Sequence, residues 1–308
     1  MRLLFIRHAE PDYSTDSLTE KGRREAALLA KTAPSLRMDH CFVSPLGRAQ
    51  ETAAYCLEAV GKTAVTLDWL EEFDAPVDLN RTPELLAAYP NVKPEAVPPS
   101  GLPAENGKEA GNPRTGGSVL ISSGSNAQGS PYGEAGERTQ SVQPGKYRPR
   151  RPWDVGQIYY AEHPELMDPF RWRESEIYLK SKMPSRYDEV VSAFDALLAS
   201  YGYVHENGLY RVERESRETL VFFCHFGVTC VLLSALWNTS PFFLWQNLAM
   251  LPSSVTELAT EERVQGAALF RAQRIGDLSH LYAGNEPASF ACRFCEVYSD
   301  FSVETGRH

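Results

Sequence analysis

The sequence has no apolar run near the ~20 residues that a membrane-spanning helix needs. Its longest apolar stretches, Leu220–Phe223 and Val228–Trp237, are interrupted by His225, Gly227 and Thr229. Nothing at the start reads as a secretory leader, because the four apolar residues Leu3–Ile6 run straight into Arg7 and His8. A cytoplasmic location with no membrane partner is therefore expected. Cysteine is sparse, with six residues (Cys41, Cys56, Cys224, Cys230, Cys292, Cys295) scattered over 308, and a chain this large needs no disulfide scaffold. Free thiols are the expectation. Cys292 and Cys295 form a Cys-x-x-Cys without a second pair, so no zinc site is expected. Positive charge is in deficit: 31 Lys and Arg against 40 Asp and Glu leave a net charge of −9. That balance excludes non-specific binding to nucleic acid or anionic lipid, and any anion site must be a local cluster of cations. Aromatic residues are missing from Asn91 to Pro131, and Gly, Ser, Pro, Asn and Glu dominate residues 101–145. Such a stretch cannot bury enough apolar surface to offset its ordering entropy, so residues 98–150 are expected to be a flexible insertion.

The rest of the chain reads as globular, with 43% hydrophobic and 23% charged residues. Leu3–Ile6, His40–Ser44 and Leu220–Cys224 are short continuous apolar runs, the pattern of strands buried on both faces. Val65–Leu67 is a further candidate strand. Helices are predicted after Thr19, a good N-cap, and over Arg48–Val60, Tyr187–Leu198 and Gly227–Trp237. This alternation predicts an α/β fold, a three-layer α/β/α sandwich around a mostly parallel central sheet. Ser254–Thr260 and Ala267–Ile275 alternate as a hairpin, expected at the sheet edge, and Ala288–Phe301 is expected to be a closing helix. Trp153, Tyr159, Tyr160, Phe170, Trp172 and Tyr178 crowd one stretch. They predict a lid-like unit over 153–184, so that an insertion of about 76–184 interrupts one domain spanning 1–308.

His8 and His225 both stand at the C-terminal ends of predicted strands, the edge where open α/β sheets bind ligands. Small residues, Ala9 and Gly227, follow each within two positions. Arg7 flanks His8, and Arg48 begins a helix just past another strand end. Two planar guanidinium forks and two imidazoles at one edge suit the oxygens of a phosphate monoester.

These residues fall within an ordered set of motifs that resembles the histidine phosphatase superfamily, in the branch that includes phosphoglycerate mutases. Arg7-His8-Ala9-Glu10 resembles the family's Arg-His-Gly opening, and Leu18-Thr19-Glu20-Lys21-Gly22 its helix start. Ser44-Pro45-Leu46-Gly47-Arg48-Ala49-Gln50-Glu51-Thr52-Ala53 resembles its Ser-x-x-x-Arg-Ala segment. Leu70-Glu71-Glu72 resembles its acidic segment, and Val221–Gly227 its second histidine strand. The resemblance covers roughly 1–75 and 185–275 and implies a phosphoglycerate mutase-like fold. It implies that His8 is a nucleophile carrying the phosphoryl group and that Arg7, Arg48 and His225 hold its oxygens. It further implies that Glu72 is the general acid and base, with Glu71 the runner-up, and that Ser254 is a phosphate contact. Like-charge repulsion from Glu71 and Asp74 is expected to raise the pKa of Glu72.

The sequence departs from the pattern at Ala9 and Phe226, where glycine is usual, and at Pro11 and Ser14, where mutases carry Ser and Asn. The expected activity is thus hydrolysis of a small phosphorylated metabolite, independent of metal and cofactor. A mutase-type phosphoryl transferase and a non-catalytic phospho-ligand module are the alternatives. Asp277, Ser279 and His280 are candidates for the pocket mouth.

Overall fold

The computed structural model describes residues 1–89, 92, 94 and 147–289. Ten strands are present among them: β1 (Arg2–Arg7), β2 (Pro11–Asp12), β3 (Ser17–Leu18), β4 (His40–Val43), β5 (Val65–Thr66), β6 (Tyr203–Glu206), β7 (Leu209–Val212), β8 (Thr219–Cys224), β9 (Val255–Val264) and β10 (Ala267–Asp277). Eight helices accompany them: α1 (Glu20–Thr32), α2 (Gly47–Val60), α3 (Gln157–Glu162), α4 (Glu176–Leu179), α5 (Met183–Ser200), α6 (Phe226–Trp237), α7 (Pro241–Asn247) and α8 (Ser279–Ala283).

One eight-stranded sheet runs β5-β4-β8-β1-β9-β10-β7-β6. The first four strands are parallel, as expected for doubly covered apolar runs, and the last four extend the sheet from β1 through successive antiparallel pairings. Period-two alternation divides the core between two layers. Leu4, Ile6, Val221 and Phe223 pack with Leu29, Ala49, Ala53 and Cys56 of α1 and α2. Leu3, Phe5, Leu220 and Phe222 face the other way, onto Val190 and Phe194 of α5 and Val228 and Val231 of α6. β1, β4 and β8 are therefore sandwiched, and β8 is buried at every position. The Thr19 hydroxyl accepts the Gly22 N–H, as its N-cap role requires.

Several expectations change. The β9–β10 hairpin lies inside the sheet, because β9 pairs with β1 and β10 with β7; the β6–β7 hairpin forms that edge instead. The aromatic stretch is less a lid than core, since Tyr159, Tyr160, Trp172 and Tyr178 are buried in the same cluster as Phe5 and Phe194. Apolar rings lower the free energy more inside that cluster than over an aqueous cleft. The end of the expected flexible segment is anchored: Arg150 pairs with Val77, and Tyr147 with Asn80. Residues 98–146, the closing helix beyond Ser289, and Cys292 and Cys295 lie outside the described residues. Cys41, Cys56, Cys224 and Cys230 are free and buried. Among the described residues no helix is long and apolar enough to cross a membrane.

Candidate active site

The site grows from the ends of three neighbouring parallel strands. β1 delivers Arg7 and His8, β8 delivers His225, and β4 delivers Ser44 with α2 behind it. Backbone bonds continue the sheet one residue past each strand: His8 N–H donates to Cys224 O at 3.0 Å, and Ser44 N–H to Phe223 O at 2.9 Å. The two imidazoles thereby come together, with ring centroids 5.0 Å apart. Both rings are buried.

Arg48 follows Gly47 at the start of α2. A Cβ on Gly47 would stand 2.2 Å from the Asp16 carbonyl oxygen, so only glycine lets the helix begin this close. Asp16, at φ +50°, accepts the Gly47 N–H at 2.6 Å and forms an ion pair with an end nitrogen of Arg48. Thr52 ties the helix to the histidine loop, accepting the Ala9 N–H at 3.0 Å and donating to Arg48 O at 2.8 Å. The Arg7 guanidinium donates to Met250 O and lies 5.6 Å from the Phe226 ring centroid. Phe226, the departure from glycine, thus gives that arginine an aromatic face.

Electrostatics follow from this burial. His8 is held well below the usual 6.5 by burial first and then by Arg7 and Arg48. His225 is lowered likewise by burial, then by His8, Arg48 and Arg7. Both rings are neutral near pH 7. His8 Nδ1 lies 2.8 Å from Ala9 O, and a carbonyl can only accept, so Nδ1 carries the proton and Nε2 the lone pair. Four polar atoms around this point, Arg7 Nε, Arg48 Nε, His225 Nδ1 and Ser254 Oγ, are buried without a hydrogen-bond partner. Leaving such groups unmatched costs about 1–3 kcal/mol each.

Glu72 and Glu71 separate clearly. Glu72 Oε1 accepts Phe73 N–H at 2.8 Å and Val228 N–H, in the first turn of α6, at 3.1 Å. Glu71 instead pairs with Arg186 at 3.0 Å. Asp74 forms an ion pair with Arg151. Both neighbours of Glu72 thus pair with cations of their own. The Trp153 ring stands beside Glu72: a Cβ on Gly227 would meet Trp153 at 2.5 Å and Glu72 Oε1 at 2.7 Å. Of the aromatic stretch, Trp153 is the member at the site, and nothing local in the sequence distinguishes it.

Ser254 belongs to the site wall; its carbonyl accepts Arg7 N–H at 3.0 Å. Asp277 pairs with Arg274 and accepts Ser279 N–H, while His280, lowered to about 4 by burial, bonds Ser253 at 2.9 Å. Pro11 sits in β2, and Ser14 is spent on the Asp12 carboxylate at an exposed turn. Among the described residues no three His, Cys, Asp or Glu side chains are grouped to hold a metal ion.

Residues 3–108 match the family model described as histidine phosphatase superfamily (branch 1). No curated protein matches the chain. Among solved structures, a phosphoserine phosphatase from Entamoeba histolytica in complex with 3-phosphoglyceric acid is similar at 12% identity, covering 91% of this chain and 98% of that one, with a TM-score of 0.47. A mycobacterial glucosyl-3-phosphoglycerate phosphatase is similar at 17% identity, covering 88% and 96%, with a TM-score of 0.43. At those scores neither lends its activity to this chain. The matched stretch holds Arg7, His8, Arg48 and Glu72, and over residues 3–108 the chain is similar to the histidine phosphatase superfamily, branch 1.

Proposed function

We propose that the chain is a phosphomonoesterase that works through a phosphohistidine at His8 on a small phosphorylated metabolite, without a metal. The observation that carries this reading is the set of buried, unmatched donors around His8: Arg7 Nε, Arg48 Nε, His225 Nδ1 and Ser254 Oγ. Buried donors are ordinarily satisfied, and a phosphoryl group would satisfy all four at once. We read the chain as a single domain in which residues 76–184 are an insertion sharing the main core.

The lone pair of His8 Nε2 attacks phosphorus while the P–O bond to the leaving group breaks. Arg7, Arg48, His225 and Ser254 donate to the three non-bridging oxygens, whose charge grows in the transition state. Glu72, held at the first turn of α6, gives its proton to the departing alkoxide. Water then attacks phosphorus, Glu72 takes a proton from it, the P–N bond breaks, and phosphate leaves with His8 restored.

The full chain should hydrolyse 4-nitrophenyl phosphate in EDTA. Acid-labile label from a radioactive phosphoryl donor should appear on the wild type and vanish with His8→Ala. Undiminished turnover by His8→Ala would exclude the mechanism. Isomer formation with little free phosphate would favour the mutase reading instead.

A further inference from the structure

His8 and His225 are the same residue type, 5.0 Å apart, yet the proposed chemistry asks opposite things of them. The first must present a lone pair and the second a proton. A neutral imidazole has one of each, and its fixed partner decides which nitrogen carries which. For His8 the partner is a carbonyl, which forces Nδ1–H. For His225 it is a hydroxyl, Ser44 Oγ, 2.7 Å from Nε2.

We propose that Ser44 is a positioning residue whose hydroxyl donates to His225 Nε2, fixing the Nδ1–H tautomer and turning that N–H toward the phosphoryl site. The consequence for catalysis rests on the phosphatase reading, but the tautomer does not.

The direction of the Ser44 bond follows from what else touches the hydroxyl. Its oxygen already accepts Leu46 N–H at 3.2 Å. The O–H needs an acceptor, and among the described residues His225 Nε2 is the one in contact. The side chain is also held in place. Ser44 is fully buried, its N–H is bonded to Phe223 O at 2.9 Å, and its carbonyl accepts Gln50 Nε2 at 2.7 Å. With Nε2 engaged as acceptor, the ring proton stands on Nδ1, the buried atom that has no partner. An orphan donor flanked by two arginines and the His8 ring has a use only when an anion arrives. The same bond opposes protonation of His225, since an imidazolium would have no lone pair for the Ser44 proton. That agrees with the lowered pKa that burial gives this ring.

The two strand ends thus carry complementary anchors. After β1 the chain turns its own carbonyl, Ala9 O, onto the ring. After β8 it cannot, because Phe226, the counterpart of Ala9, is already the first residue of α6 and its carbonyl points along the helix. The hydroxyl comes instead from the end of the neighbouring strand, where Ser44 follows β4 and bonds the ring.

The test is long-range 1H–15N correlation of the full chain with 15N-labelled histidines, without ligand, with His225 assigned by comparison with His225→Gln. Wild type should show the Nδ1–H pattern for His225. Ser44→Ala should show a tautomer mixture or the Nε2–H pattern, and kcat/KM for an aryl phosphate should fall by about 10- to 1,000-fold, the upper end being loss of a whole oxyanion donor. An Nε2–H pattern in wild type overturns the proposal even if Ser44→Ala fails to fold. So does an unchanged Nδ1–H pattern in folded Ser44→Ala, since any loss of rate would then arise from a disturbed start of α2. Failure of the phosphatase reading would appear separately, as no label on His8 while the wild-type tautomer stands.

Discussion

Replacing Glu72 by glutamine separates its chemical duty from its structural one. Oε1 accepts two backbone N–H groups, Phe73 at 2.8 Å and Val228 at 3.1 Å. A glutamine carbonyl can accept both, so the first turn of α6 keeps its cap and stability should change by less than about 1 kcal/mol. What is lost is the ionisable oxygen. General acid–base assistance contributes about 10²- to 10⁴-fold, so kcat should fall by that factor, or about 2.7–5.4 kcal/mol in barrier. With 4-nitrophenyl phosphate the leaving group needs little protonation, and phosphoryl transfer to His8 should persist. The water step, which needs a base, should stall. Rapid quench should therefore show a burst of nitrophenol close to one per enzyme and a persistent acid-labile phosphoprotein. Glu71→Gln, whose partner is Arg186, should turn over near the wild-type rate. Steady turnover by Glu72→Gln within a few-fold of wild type, or a larger loss in Glu71→Gln, would refute the assignment.

Four further outcomes follow. His8 is held below 6.5 by burial, then Arg7 and Arg48, and a lowered base stays neutral until the pH falls through its lowered value. The acid limb of kcat/KM should lie below pH 6.5, and a limb at or above 6.5 would contradict the burial argument. By the same sign, His8 and His225 bind fewer protons folded than unfolded, so urea midpoints should be full above about pH 6.5 and decline as the pH falls below it. Gly227→Ala places a Cβ 2.5 Å from Trp153 and 2.7 Å from Glu72; stability should drop by about 1–3 kcal/mol and kcat should fall with it, whereas an unaltered kcat would show that Trp153 and Glu72 have room to move. Thr52→Val strands the Ala9 N–H, which should cost about 1–3 kcal/mol in urea unfolding, while Thr52→Ser should cost much less.

Much of the site was legible because it hangs on strand ends, and strands buried on both faces announce themselves as unbroken apolar runs. β1, β4 and β8 appear in that way, and Arg7, His8, Arg48 and His225 follow from where those runs stop. The choice between Glu71 and Glu72 was not legible. It depends on the Val228 N–H, which no local pattern in residues 70–72 can reveal. Whether the aromatic stretch covers the site or fills the core was not legible, because composition cannot tell an interior ring from a covering one. The β6–β7 hairpin did carry a signal: Asn207-Gly208, at φ +51° and +80°, is the Asn-Gly pair of a tight two-residue turn. Recognising it would have moved the β9–β10 hairpin inward. Ser44 was visible only as the first letter of a motif, since its partner is brought by another strand.

The strand order has a consequence for how the molecule comes into being. β1 and β4 do not touch; β8 lies between them and pairs with both. During synthesis the nucleophile loop and the arginine helix leave the ribosome early, yet the strand that joins them, Thr219–Cys224, arrives only after the long middle of the chain. Contacts so distant along the chain are slow to form. Until β8 pairs with both neighbours, the segment bearing His8 and the helix bearing Arg48 have no common floor, and the site is not yet assembled in the growing chain.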